Sequence, residues 1–182
     1  MLRLAGWPLP AVALALGLSG CVDNIPDVAV NRGDVRQAIA RGTLKSPRPA
    51  TIAFASLDGA PGDQATRFKA EFNKAAADRE MILVDPKAAR YLVRGYLSAA
   101  PGERGTDVAY VYDVFDADRR RVERVSDILS VPGGATDAWA VINDQALASL
   151  AGRSADDLAV ALSGTPEAQA GQVVAAAPVP AR

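Results

Sequence analysis

No histidine occurs among the 182 residues, and cysteine occurs once, as Cys21. The missing imidazole removes the commonest metal ligand, the usual general base, and every Ser-His-Asp or Cys-His arrangement. A lone cysteine closes no disulfide within the chain, so stability must come from packing. An excess of either charge is lacking too: 20 basic and 21 acidic side chains leave a formal net charge of −1. With no basic surplus to meet phosphates, nucleic-acid binding is disfavoured. Aromatic residues are scarce, at 5% of the chain, so each marks either a core or a contact. The longest apolar run falls short of the ~20 residues that a membrane-spanning helix needs.

That run is nevertheless informative. Arg3 is the only charge in residues 1–20, and Ala11-Val12-Ala13-Leu14-Ala15-Leu16-Gly17-Leu18 follows it. A positive start and a short greasy core are the layout of a secretory signal, and Pro8 and Pro10 argue against a membrane helix. Leu18-Ser19-Gly20-Cys21 resembles the lipobox of bacterial lipoproteins, in which the cysteine thiol is acylated and becomes the first residue. The competing account is an ordinary signal with a chance cysteine, yet the chain's one cysteine sits where the greasy core ends. The resemblance implies a signal peptide over residues 1–20 and lipidation of Cys21, which holds the chain to a membrane. Each buried acyl CH₂ contributes about 0.8 kcal/mol, and two or more chains make anchoring stable. In such lipoproteins an aspartate directly after the cysteine retains the protein in the inner membrane. Val22 takes that place here, which favours the outer membrane, facing the periplasm.

Residues 21–48 read as a lipidated tether punctuated by Asn24, Pro26, Asn31, Gly33, Gly42 and Pro47, with room for one or two helical turns at 34–40. Residues 164–182 are rich in Ala, Pro, Gln and Gly without apolar period, the composition of a disordered tail. Between them, residues 49–163 suffice for one domain with one core. Strands are predicted over 51–57, 81–84, 91–98, 107–115 and 122–131. Phe68 and Phe72 recur at helical spacing in a helix capped by Asp63. Asp137 starts a helical turn bearing Trp139, and Leu147, Leu150, Leu158 and Leu162 line one helix over 143–163. The rival is a break at Gly152 with Ser154 capping a second helix. The fold class is therefore α+β: a mixed sheet of five strands in the order β-α-β-β-β-β-α, with two helices packed on one face.

Ala89-Arg90-Tyr91-Leu92-Val93-Arg94-Gly95-Tyr96-Leu97 resembles a strand of small periplasmic domains, among them the N-terminal domain of TolB and the lipoprotein activators of penicillin-binding proteins. The likeness is one of architecture. A longer resemblance, through residues 109–117, 137–141 and 154–159, is to an uncharacterised family of alphaproteobacterial, rhizobial-type lipoproteins. It implies no catalytic residue.

Asp116, Asp118 and Asp127 mimic the first, third and twelfth positions of a calcium loop, but Arg121 stands where the turn needs glycine. A solvated hairpin accounts better for them, and no metal site or cofactor is expected. Arg119-Arg120-Arg121 with Arg124 fits a charged sheet edge better than a lipid-headgroup site. Trp139 fits a core lid. Arg94 and Tyr96 share one face of their strand, as do Tyr110 and Tyr112. If both faces point away from the helices, the four form a partner-binding surface; the competing placement buries the tyrosines beneath the helices. The expectation is a non-enzymatic envelope protein that binds or scaffolds a periplasmic or outer-membrane protein. The alternatives are a binder of lipid or cell-wall glycan and a carboxylate-dependent hydrolase.

Overall fold

A computed structural model describes residues 34–175, with side chains as far as Gly171. The expected signal peptide, Cys21 and the outer ends of the expected tether and tail lie outside the described residues. The elements run α1 (Val35–Ala40), β1 (Ile52–Asp58), α2 (Gly62–Ala77), β2 (Tyr91–Gly102), β3 (Gly105–Phe115), β4 (Arg121–Val131), α3 (Asp144–Ser163) and α4 (Pro166–Ala175), with a 3₁₀ turn at Ala138–Val141.

The sheet has four strands in the order β1-β2-β3-β4. β1 runs parallel to β2, and β2, β3 and β4 form an antiparallel meander. The fold is α+β with a mixed sheet, as expected, but the expected fifth strand is reduced to one bridge. Ile52 donates to the Ile82 carbonyl and receives the Val84 amide, both at 3.0 Å. The physical stop is Asp85-Pro86: proline brings no amide, and the Asp85 carboxylate turns the chain by accepting from the Lys87 amide at 2.9 Å. The parallel partner of β1 is therefore β2.

α2 begins at Gly62, after Pro61, rather than at a cap on Asp63. Asp63 stands in the first turn, where the helix dipole favours a carboxylate. Gln64, Phe68, Phe72 and Ala76 recur every four residues and are all buried. The helix ends in a Schellman turn, with Met81 donating to Ala76 at 3.0 Å and Glu80 at a positive φ of 58°. α3 is one uninterrupted helix through Gly152, capped by the Asn143 side chain accepting from the Ala146 amide at 2.9 Å. Its leucines 147, 150, 158 and 162 form the predicted stripe and are buried. α2 and α3 pack on each other and on one face of the sheet, with Val93, Val108 and Val114 beneath them. Trp139 packs against the same core.

The folded unit is wider than residues 49–163. Val35 is buried, and the Ser163 hydroxyl donates to the Lys45 carbonyl at 2.6 Å, fastening the tether end to α3. The segment expected to be disordered from 164 is helical over Pro166–Ala175. Ala168 is buried there, and Tyr91 donates to Glu167 at 2.5 Å. Ala and Gln are good helix formers, and Pro166 fits a first helical position.

Candidate binding surface on the helix-free sheet face

Register decides which side chains share the open face. Arg94, Asp113 and Arg124 stand in one row across β2, β3 and β4; Tyr96, Val111 and Ser126 form the next. Ser98, Ala109 and Ile128 follow, then Ala100, Asp107 and Ser130. Tyr96 is 43% exposed and Ile128 58%, both high for large apolar side chains.

The first row is an ion cluster. Arg124 grips Asp113 with two parallel bonds, Nε to Oδ1 and Nη2 to Oδ2, each 2.7 Å. This fork is the strongest geometry available to such a pair. Arg121 approaches the same carboxylate at 3.6 Å, and the Arg94 guanidinium lies 5.2 Å from the centre of the Phe115 ring. The bonds from Arg124 hold the Asp113 carboxyl below the usual range, against the opposing effect of burial, with Arg121 and Arg94 adding to the pull. The cluster sets Arg94, Arg121 and Arg124 about the single carboxylate of Asp113, so this end of the face is net positive.

Of the four residues expected to form a joint surface, the structure places Arg94 and Tyr96 here and puts Tyr110 and Tyr112 on the opposite face. Gly95 pairs with Tyr112 and Leu97 with Tyr110, so both tyrosines belong to the buried phase and are fully inaccessible. A Cβ on Gly95 would come within 3.0 Å of the Tyr112 ring, so the glycine makes room for it. Tyr112 donates to the Ser154 hydroxyl at 3.0 Å and Tyr110 to Asp157 at 2.5 Å, both on α3. Burial pushes both phenols above their ordinary range, and for Tyr110 the bond to Asp157 adds to it.

The structure adds Val111, Asp113, Arg124 and Ile128 to the surface. The signal for them lies in β3 itself. Asp107 and Asp113 occupy odd positions, whereas Val108, Tyr110, Tyr112 and Val114 occupy even ones, and a strand turns its charged phase to water.

The acidic turn does not come together as a site. Asp116 and Asp118 both pair with Arg120, and Asp127 lies far along β4, bonded to Arg153 of α3 at 3.1 Å. A cleft of about 430 Å³ opens between the start of β4 and the junction of α3 with α4, lined by Val114, Val122, Glu123, Leu162 and Glu167. Glu167 lies below its usual range chiefly because it accepts from Tyr91, whose phenol is pushed up to about 12 by burial and by that bond.

No protein-family model matches the chain, and no curated protein matches it. Similar solved structures include a dodecamer of a PelC point variant from Paraburkholderia phytofirmans, at 16% identity and a TM-score of 0.37, covering 58% of this chain and 86% of that one. TolB from Acinetobacter baumannii is another, at 17% identity and a TM-score of 0.37, with 67% of this chain aligned. The chain spans 30% of TolB. At these values neither likeness bears on function.

Proposed function

We propose that this chain is a non-enzymatic lipoprotein of the bacterial cell envelope, anchored by lipid on Cys21, whose helix-free sheet face binds another envelope protein. The observation that carries the binding part is the exposure of Tyr96 and Ile128 beside the Arg94–Asp113–Arg124 row. Tyrosine and arginine dominate interface energetics, and an apolar centre with a charged border is the common anatomy of a contact. The matching surface is apolar at its middle and acidic where it meets the arginines. The lipobox-like stretch ending at Cys21 supports the anchor, and Val22 after it supports the outer membrane, facing the periplasm.

Two measurements test this. Mass spectrometry of the mature protein is expected to find an acylated N-terminal Cys21, and Cys21→Ser to leave an unprocessed precursor. Ordinary cleavage without lipid would end the anchoring part. Tyr96→Ala and Ile128→Lys are expected to keep the circular dichroism spectrum while weakening crosslinking to envelope proteins. Undiminished crosslinking would end the binding part.

A further inference from the structure

We propose that the outer edge of β4 takes an added strand: an extended segment of another protein, apolar at alternate positions, with a basic residue where it meets Glu123. This deepens the binding reading above and rests on it only for the kind of partner, a protein. β4 is the last strand in the order β1-β2-β3-β4, so among the described residues its outer backbone has no strand beside it. At the other edge, β1 is already met at Ile52 by the bridge to residues 82–84. The Arg124 amide donates to the side chain of neighbouring Glu123 at 3.0 Å, so it faces away from β3. The alternation of an antiparallel ladder turns the backbones of Ser126, Ile128 and Ser130 the same way.

Sheet edges are commonly blunted by charges, proline or a bulge. The start of β4 has such devices: Arg121, Glu123, Arg124 and the register shift opposite Val114 and Phe115. The stretch Val125–Val131 holds one charge, Asp127, and Arg153 of α3 meets it at 3.1 Å. That stretch is open to pairing. Val125 and Leu129 pack against the core from its rim and are only partly covered. Ile128, on the other side of the strand, is exposed. An added strand gives all three a cross-strand neighbour, the unit of sheet stabilisation.

Two clefts flank this edge on its helix side. One, of about 410 Å³, lies between Leu129, Val131 and Pro132 and the α3 residues Ala146 and Ser149, and suits an apolar side chain. The other is the cleft at the junction of α3 with α4, where Val122 and Glu123 form the β4 wall. The Glu123 carboxylate is half-buried and has no cation beside it among the described residues. In strand addition the main-chain bonds hold the segment and pockets select its alternate side chains. A lysine opposite Glu123 supplies the missing charge. A second β4 answers neither acid. Paired about Ile128, it sets Leu129 against Asp127 and puts Glu123 past the end of the pairing; paired about Asp127, it opposes that carboxylate to itself.

The probe is a fluorescent peptide, Thr-Leu-Val-Thr-Thr-Val-Glu-Lys, written to run antiparallel to β4 with its leucine opposite Leu129 and its lysine opposite Glu123. Anisotropy with the full chain in detergent is expected to show saturable binding below about 1 mM, and amide exchange to slow at Ser126, Ile128 and Ser130. Ser126→Pro removes an outward amide and no bond to β3. It is expected to weaken binding about tenfold or more with the circular dichroism spectrum kept. Glu123→Lys is expected to do the same, and a peptide ending in glutamate to restore binding to that variant. No saturable binding, or binding that Ser126→Pro leaves unchanged, overturns the added strand and leaves the open face to its own crosslinking test. Binding that Glu123→Lys leaves unchanged overturns the basic residue. Binding lost instead in Tyr96→Ala overturns the edge and moves the peptide to the open face. A dimer of the chain that Ser126→Pro dissociates overturns the foreign strand in favour of a second copy.

Discussion

Arg79, just past the end of α2, donates its Nε to Asp156 of α3 at 2.6 Å, and the two side chains are only 10% and 9% exposed. The same guanidinium donates to the Ala75 carbonyl at 2.8 Å, so it also satisfies the last turn of α2. The pair ties the two helices together above the sheet. Removing one partner leaves the other charge buried, a loss of about 3–5 kcal/mol. Asp156→Ala is expected to lower the urea midpoint accordingly. A joint replacement, Arg79→Met with Asp156→Leu, is expected to recover most of the loss. A single-variant cost below about 1 kcal/mol would show that water reaches the pair.

The tyrosines separate by face. Tyr112→Ala is expected to cost about 3–5 kcal/mol, the range for emptying a buried aromatic site. Tyr112→Phe removes only the bond to Ser154 and is expected to cost about 1 kcal/mol. Tyr96→Ala, at an exposed position, is expected to stay within about 0.5 kcal/mol. Denaturant titration of the three variants checks the order.

Gly152 lies mid-helix, where a Cβ would meet the Arg79 guanidinium at 3.9 Å, ordinary contact distance. Nothing in the packing therefore requires glycine there. Gly152→Ala is expected to stabilise the protein by about 0.5–1 kcal/mol, read as a raised melting temperature. A lower one would mean that α3 shifts against α2.

Stability is expected to fall at both ends of the pH scale. Asp113 and Glu167 have carboxyls held below their ordinary values in the fold. Their contribution is present above the unfolded value of about 4 and is lost as pH falls through the folded values. Asp113→Asn is expected to flatten the acid limb. Tyr110 and Tyr112 are shifted upward. Their contribution is complete below about pH 10 and drains away as pH rises beyond it. Phenolate absorbance is expected to show these two ionising only as the protein unfolds in alkali.

Periodicity makes most of the secondary structure legible. The leucines of α3, the Phe68–Phe72 spacing of α2 and the alternation of β3 each follow from the repeat of their element. The strand expected at 81–84 shrinks to a bridge because an apolar run says nothing of how many neighbours a backbone will find. The helix at Pro166–Ala175 escapes a reading of pattern because its stripe is weak, and docking by Ala168 and Glu167 is a tertiary matter.

The amino-acid sequence by itself determined the α+β class, the order of the elements from β1 to α3 apart from the extra strand expected at 81–84, and the absence of histidine chemistry, since these depend on local pattern and composition. The odd-position aspartates of β3 mark its wet phase in the sequence, but only the tertiary structure decided what covers the other phase. Alternation along β2 alone, with Arg94 and Tyr96 on one side and Val93, Gly95 and Leu97 on the other, does not say which helix lies over it or what the buried tyrosines bond to. Ser154 and Asp157 accept from Tyr112 and Tyr110 on one side of the sheet. On the other side Arg94, Tyr96 and Ile128 stay in water, because hydrogen bonds to a helix distant in sequence settle what alternation leaves open.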